Sequence, residues 1–382
     1  MSDAKQLRKS LILSKMLPLR HSRKNPLKLG VLNWCLKVSL LCAFLAALMV
    51  FPAYAADKKD KTIKPSSKPA EIVSSKDPGK DSTAESQSEN VSVEADIEST
   101  EETKEIISAI GANETISSKY EDTLLDIARR NDLGFVELRA ANPDVDPWLP
   151  GEGTAITLPK WNILPDAAQE GIVINLSEMR MYIFEDGKDI RTFPIGIGRE
   201  GFDTPVGETI VSWKRPNPTW TPTPSMREAN PNLPKVVEAG PENPLGTHAV
   251  YLGWPNYLMH GTSRPWGIGR RVSSGCIRLY PEDIVQLYEI AQNKMPVQVV
   301  DQPVKAAWLN DGFYVEAHPT IDEIEAFEIE GHLDYYETQS GMLKSVRRAA
   351  GPEYADDIKW FEVEKIIQER RGYPIKVLDK KG

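Results

Sequence analysis

Cysteine is nearly missing from this chain. Only three of its 382 residues are Cys, and Cys35 and Cys42 lie in or beside an apolar run near the N-terminus. Everything downstream holds a single thiol, Cys276, so no internal disulfide can staple that part. An unpaired cysteine in an exported chain is either a small buried residue or a reactive one. Excess positive charge is lacking as well. The net charge is −9, which argues against a nucleic-acid partner, since such binders carry a basic face. His318, His332 and the acids near them show no metal-ligand spacing, so neither a metal nor another cofactor is expected. Aromatic residues are absent between Tyr54 and Tyr120, and residues 57–105 are mostly Lys, Ser, Pro, Asp and Glu. That composition buries too little apolar surface to offset ordering entropy, so it reads as a disordered tether.

The N-terminus holds what the tether lacks. Residues 1–37 carry nine Lys or Arg and one acid, Asp3, and are followed by an uncharged Leu/Ala-rich run over 38–50 and by Pro52-Ala53-Tyr54-Ala55-Ala56. A basic region, an apolar core and a small-x-small end match a secretory signal cut after Ala55. The apolar stretch also approaches the length of a membrane span, so an uncleaved anchor stays open. Either reading puts the rest of the chain outside the cytoplasm, in the periplasm and near the membrane.

Beyond the tether, helical periodicity begins. Leu124, Ile127 and Ala128 share one face of a helix that Asp122 or Thr123 can cap. A second helix over 135–141 ends at Asn142-Pro143, and a strand over 154–158 closes the segment. From 170 the pattern turns to strands: 172–176, 179–184, 190–197, 249–252, 257–260 and 297–300. Residues 214–244 are dense in Pro and Asn and read as a long loop. Residues 280–291 read as a helix, with Pro281 in the first turn and Ile284, Leu287, Tyr288 and Ala291 on one face. Strands with few helices imply a β-rich sandwich or barrel. Residues 302–382 read as a small α+β appendage with helices over 321–328 and 357–370.

The chemistry concentrates in 257–279. A free thiol has a pKa of about 8.5, so it needs a base or a positive charge nearby to act as a nucleophile at neutral pH. His260 stands 16 residues before Cys276, and Arg270, Arg271 and Arg278 add positive charge. Gly275 lets the backbone bend, so amides around Gly275-Cys276 can face a developing oxyanion. Cys276 is therefore the candidate nucleophile and His260 the candidate base, against the plainer reading of a core histidine and a buried thiol.

His260-Gly261 followed by Ser273-Ser274-Gly275-Cys276-Ile277-Arg278, with Thr204-Pro205-Val206-Gly207 and Leu245-Gly246 ahead of them, resembles the active-site pattern of the L,D-transpeptidases, the YkuD domain. His260-Gly261-Thr262 with Ile268-Gly269-x-Arg271 is most similar to the Gram-negative branch. Ser274 stands where many relatives carry a second His. The resemblance implies a mainly β catalytic domain over 168–301, of the YkuD β-sandwich type. It also implies attack of Cys276 on the bond between a diamino acid and D-Ala in a tetrapeptide stem, release of D-Ala, and transfer of the acyl group to an amine in a 3→3 cross-link. Water as acceptor would make the protein an L,D-carboxypeptidase, and a lysine of an outer-membrane lipoprotein would make it a linking enzyme. Supporting parts fall to Gly261 and to Ser273, which orients either His260 or the loop. Arg278 holds either a substrate carboxylate or a structural salt bridge; Trp266 and Arg271 complete the candidate substrate contacts. Residues 113–160 resemble the LysM module, a βααβ unit that binds peptidoglycan glycan strands, on Asp122-Thr123-Leu124, Ile127-Ala128, Leu138, Ala141-Asn142-Pro143, Gly151 and Leu158-Pro159. Glu121 replaces the Gly usual there. The expected order is signal or anchor (1–56), linker (57–112), LysM-like module (113–160), catalytic domain (168–301) and appendage (302–382). A non-enzymatic peptidoglycan-binding protein is the rival reading.

Overall fold

The computed structural model describes residues 107–333 and 340–380. The candidate signal or anchor and the tether up to residue 106 lie outside the described residues. The first elements are β1 (Ala109–Ile110), β2 (Glu114–Ser117), α1 (Leu124–Arg130), α2 (Phe135–Ala141), β3 (Ala155–Leu158) and β4 (Asn162–Ile163). β1 pairs with β4, inside the stretch expected to be linker up to residue 112, so regular structure starts earlier than composition suggested. β2 and β3 pair antiparallel and close a βααβ unit around the two helices. Thr123 starts α1: its Oγ1 accepts the Asp126 N–H at 3.1 Å, while the Asp126 carboxylate accepts the Thr123 N–H.

The central domain contains β5 (Gly171–Asn175), β6 (Arg180–Phe184), β7 (Arg191–Pro194), β8 (Ile197–Gly198), β9 (Gly207–Pro216), α3 (Pro224–Ala229), β10 (His248–Leu252), β11 (Leu258–His260), β12 (Arg271–Ser273), β13 (Ile277–Arg278), α4 (Pro281–Ile290) and β14 (Pro296–Val300). Eight of these strands form one sheet in the order β13-β11-β10-β9-β14-β5-β6-β7, and β8 pairs with β12. The β14–β5 and β11–β13 ladders of the sheet are parallel and its others antiparallel, and the β8–β12 pair is parallel. Gly196, just past β7, pairs with Arg278 on β13, so the two edges of the sheet meet. The expected sandwich is therefore one sheet curled on itself, which removes most of its exposed edge. α4 packs on its inner face through Ile284 and Leu287, both buried, with Pro281 in its first turn.

Two further departures lie in 207–244. Residues 207–216 form a ten-residue strand at the centre of the sheet, although only Val211 of it is buried. The Pro- and Asn-rich loop contains α3, capped by Thr223.

The βααβ unit does not hang free. Its Leu124, Ile127 and Phe135 join the same apolar core as Ile172, Met181 and Ile284 of the sheet. The amides of Phe135 and Val136, at the start of α2, donate to the carbonyls of Ile268 (3.3 Å) and Gly269 (3.2 Å). Buried Arg180 bonds Glu137 at 2.7 Å, and Arg129 forms a bidentate pair with Glu282.

The C-terminal part has β15 (Val304–Leu309), β16 (Gly312–Ala317), α5 (Ile324–Glu330), α6 (Ser340–Ala350), α7 (Trp360–Glu369) and β17 (Ile375–Asp379). β16 is the middle of a three-stranded antiparallel sheet. Val346 of α6 and Ile367 of α7 share a core with Phe313 and Val315 of that sheet. The expected helices begin later than sequence implied, because 321–323 is a 3-10 turn and α7 starts at Trp360. A buried polar knot fastens this part to the catalytic sheet. The Lys305 ammonium lies 2.9 Å from Glu178 and 2.8 Å from Glu316, and it donates to the Ile163 carbonyl at 2.6 Å. His318 Nε2 lies 2.6 Å from Glu316. Glu178, Glu316 and His318 are near enough to share a metal ion, but the Lys305 ammonium already bridges the two carboxylates.

Candidate active site

Register brings the two key side chains to one face. In the parallel ladder Met259 pairs with Ile277 and His260 with Arg278. Side chains alternate along a strand, so Met259 and Ile277 enter the core while Leu258, His260, Cys276 and Arg278 share the opposite face. The same row structure continues across the sheet, where Tyr251 pairs with Leu258 and with Trp213, and Ala249 with His260 and with Arg215.

His260 is 3% exposed. Its Nδ1 lies 2.6 Å from the Gly261 carbonyl, which can only accept, so Nδ1 carries the proton and Nε2 keeps its lone pair. Burial, and secondly the Arg278 charge, push its pKa down to about 3, against a smaller opposing effect of the Gly261 carbonyl. The ring is a neutral base. Burial raises the Cys276 pKa, while an N–H bond from Leu258 and the Arg278 charge pull against it. The resting pair is thus thiol and imidazole, not thiolate and imidazolium. The Cys276 sulfur donates toward the Asn256 carbonyl at 3.7 Å. Thiol and imidazole share the face without a hydrogen bond between them among the described bonds.

The turn that presents Cys276 is clamped from two sides. Gly275 has φ +99°, and a side chain there would meet Tyr257 Cε1 at 3.0 Å. Ser273 Oγ accepts the Gly275 N–H at 3.2 Å and donates to the Cys276 carbonyl. Ser273 Oγ thus ties the two sides of the turn together, and no hydrogen bond to His260 is among the described bonds. The Gly275 amide expected at the oxyanion is engaged by this clamp, which leaves the Cys276 amide as the candidate donor. On the other side Thr204 Oγ1 accepts the Gly198 N–H at 3.1 Å and donates to the Gly275 carbonyl at 2.9 Å. Gly246, at φ +67°, lies against the Gly261-Thr262 backbone, where a Cβ would come within 2.7 Å of Thr262 N. Gly261 in turn faces Ile284, with 2.9 Å to a built Cβ. The Thr-Pro-x-Gly and Leu-Gly elements thus support the two ends of the site from behind.

The remaining expected contacts separate. Arg278 is largely buried, its Nε meets no hydrogen-bond partner, and it has no carboxylate partner among the described residues. Burial lowers its pKa; the Cys276 sulfur opposes this, and the Arg264 and Arg199 charges add to it. Arg271, expected at the substrate, uses three of its five N–H groups within the fold: Nε bonds the Gly198 carbonyl at 3.1 Å, Nη1 the Ile321 carbonyl at 3.0 Å and Nη2 Asp203 at 2.7 Å. Trp266 stands on a 3-10 turn over Pro265–Gly267 and is 40% exposed. Thr204 went unassigned in the sequence because its bond to Gly275 spans 71 residues.

A lone thiol and a buried neutral imidazole on one face of a curled sheet, beside an unpaired guanidinium, define a cysteine acyl-transfer enzyme. Residues 169–299 match the YkuD family, the L,D-transpeptidase catalytic domain. The chain is 40% identical over 277 residues to the probable L,D-transpeptidase YbiS of Escherichia coli (strain K12), covering 70% of this chain and 88% of YbiS. It is 45% identical over 207 residues to the probable L,D-transpeptidase YcfS of the same strain, covering 52% of this chain and 65% of YcfS. ErfK/SrfK of that strain is 40% identical over 219 residues, covering 56% of this chain and 70% of that protein. The chain belongs to the L,D-transpeptidase family and falls with its Gram-negative branch.

Proposed function

We propose that this protein is a peptidoglycan L,D-transpeptidase with Cys276 as nucleophile and His260 as proton carrier. The observation that carries the reading is the register His260–Arg278 beside Cys276, which gathers thiol, base and guanidinium on one face. In the proposed cycle Nε2 of His260 takes the thiol proton as Cys276 attacks the carbonyl between the diamino acid and D-Ala of a tetrapeptide stem. The Cys276 amide faces the oxyanion. The proton passes to the departing D-Ala amine, leaving a thioester, and an amine acceptor resolves it to a 3→3 cross-link. Arg278, with Arg199 and Arg264 close by, receives a carboxylate of the donor stem, for which a planar guanidinium is suited.

The other parts follow the same reading. Residues 1–56 export the chain to the periplasm as a signal or anchor, and the tether gives it reach. Among the described residues no helix is long and apolar enough to cross a membrane. Residues 113–160 act as a LysM-like glycan-binding module, here joined rigidly to the catalytic domain. The deciding experiment is mass spectrometry of the full chain incubated with a disaccharide-tetrapeptide, with and without a carbapenem. A drug adduct on Cys276 together with dimeric 3→3 product is expected. An adduct with tripeptide as sole product would shift the reading to a carboxypeptidase or to linkage of a lipoprotein lysine. Neither adduct nor product would leave a peptidoglycan-binding protein.

A further inference from the structure

The sheet face that carries Cys276 continues past it as an aromatic row that the mechanism above does not use. Trp213 on β9, Tyr251 on β10 and Leu258 on β11 are successive cross-strand partners, and Leu258 is level with Cys276. The Trp213 and Tyr251 rings stack with centroids 3.6 Å apart and planes 7° apart. Trp213 is nevertheless 48% exposed, a large apolar surface left open beside a reactive site. β14 pairs with β9 only over Gly207 to Ile210, so no neighbouring strand covers the outer face of the indole.

The two sides of the nucleophile are chemically unlike. Arg278 feels the positive charges of Arg264 and Arg199, whereas the row toward β9 offers ring faces, with the Arg215 charge beyond them. A carboxylate-bearing donor fits the first. An alkylammonium is repelled there and attracted by the negative face of an indole or phenol. Strand spacing is roughly 4.8 Å, which puts Tyr251 about 10 Å and Trp213 about 14 Å from the thiol. An extended amine-bearing side chain of four or five carbons reaches roughly 6 Å, so its nitrogen can meet the thioester while its backbone lies over the stacked rings. Arg215, exposed and next but one to Trp213 on the same face, stands where a carboxylate of such a strand would end.

We propose that the Trp213–Tyr251–Leu258 row is the acceptor subsite, which seats the backbone and methylene arm of the strand that receives the acyl group, its amine extending from there to the thioester. This rests on the transpeptidase reading. In the step it serves, the free amine attacks the thioester carbonyl. The N–C bond forms and the C–S bond breaks. The surplus proton of the amine passes to His260 and on to the sulfur, giving an amide and the Cys276 thiol.

The test is the partition of the acyl-enzyme. The full chain and its Trp213→Ala and Trp213→Phe variants are given tetrapeptide donor alone and with an amine acceptor, and D-Ala release, tripeptide and cross-linked dimer are counted. For Trp213→Ala the dimer-to-tripeptide ratio is expected to fall about tenfold, as loss of an apolar and cation-binding face implies. D-Ala release should stay within about twofold of the parent, since acylation precedes the acceptor. Trp213→Phe keeps a ring and should retain most of the ratio. An unchanged ratio overturns the proposal, as does an equal loss of D-Ala release and dimer in both variants. A parent chain that releases no D-Ala would instead overturn the transpeptidase reading itself.

Discussion

Thr204 Oγ1 donates a 2.9 Å hydrogen bond to the carbonyl of Gly275, the residue before the nucleophile. A peptide group is planar with C=O and N–H opposed. Fixing the Gly275 oxygen therefore also fixes the Cys276 amide, the candidate oxyanion donor. Thr204→Val keeps the volume and removes the hydroxyl. The expected result is a 10- to 100-fold drop, roughly, in the rate of D-Ala release. Alkylation of Cys276 by iodoacetamide, which develops no oxyanion, should change little. Equal losses in both reactions would mean that Thr204 supports the loop alone.

Arg278 makes a separate prediction. Its charge lowers the Cys276 pKa and also the His260 pKa, while the mechanism gives it the donor carboxylate. Arg278→Gln should raise KM for a tetrapeptide donor by about tenfold or more, the worth of a charge-assisted hydrogen bond. A donor whose free carboxylates are amidated should lose the preference. If both donors suffer alike, Arg278 acts only through the thiol and the imidazole.

His260 also sets a pH dependence of stability. Its folded pKa is about 3, against about 6.5 for an unperturbed histidine. Above pH 6.5 both states hold it neutral. As pH falls from 6.5 toward 3 the unfolded chain binds a proton that the folded chain refuses, so stability is lost across that window, on the order of 5 kcal/mol in full. His260→Asn removes the group. The fall in melting temperature between pH 7 and pH 4.5 should be visibly smaller in that variant than in the parent. Parallel curves would contradict the neutral buried ring. For the same reason, acylation should show no histidine inflection between pH 5 and 7.

Much of this was legible locally. The helix over 280–291, the two helices of 124–141 with a cap at Asp122 or Thr123, and the strand that closes them follow from periodicity and capping, which act over a few residues; the short strand at 114–117 carries no such signal. Cys276 and His260 stood out as candidates because a lone thiol and a nearby imidazole are uncommon together. What escaped depends on register. β9 went unread because a central strand with Glu208, Lys214 and Arg215 pointing to solvent does not alternate as a core strand does. Residue type suggested Arg271 as a substrate contact but not the three bonds by which it reaches residues 198, 203 and 321. No spacing rule reveals that Trp213 stacks on Tyr251, since 38 residues separate them and a strand pairing joins them.

The Lys305 knot predicts how the C-terminal part is held. Burial favours a neutral amine, yet Glu178 and Glu316 outweigh it and raise the Lys305 pKa. Burial pushes the Glu178 carboxyl up, but Lys305, His318 and the Tyr182 hydroxyl together outweigh it and bring its pKa below the usual value. Lys305→Met would strand two buried carboxylates and should cost about 3–5 kcal/mol in urea unfolding. Adding Glu178→Gln and Glu316→Gln should recover a large part of that loss, because the penalty is an uncompensated charge and not lost packing. A triple variant no more stable than Lys305→Met would refute this.

Gly269 tests whether the βααβ unit acts as part of the enzyme. It sits at φ +71°, and a Cβ there would lie 2.2 Å from Phe135 N and 2.4 Å from Gly134 Cα. The seam carries the two hydrogen bonds that receive the first amides of α2, so nothing can enter without separating the two parts. Gly269→Ala should therefore cost roughly 2–4 kcal/mol, from a strained backbone and a forced gap. It should also slow acylation, because Gly269 lies in the stretch that leads from Trp266 to the Ser273 clamp. Limited proteolysis should then cut near 160–168 faster than in the parent. Unchanged melting and unchanged proteolysis would mean that the seam opens freely and that the unit moves as an independent module.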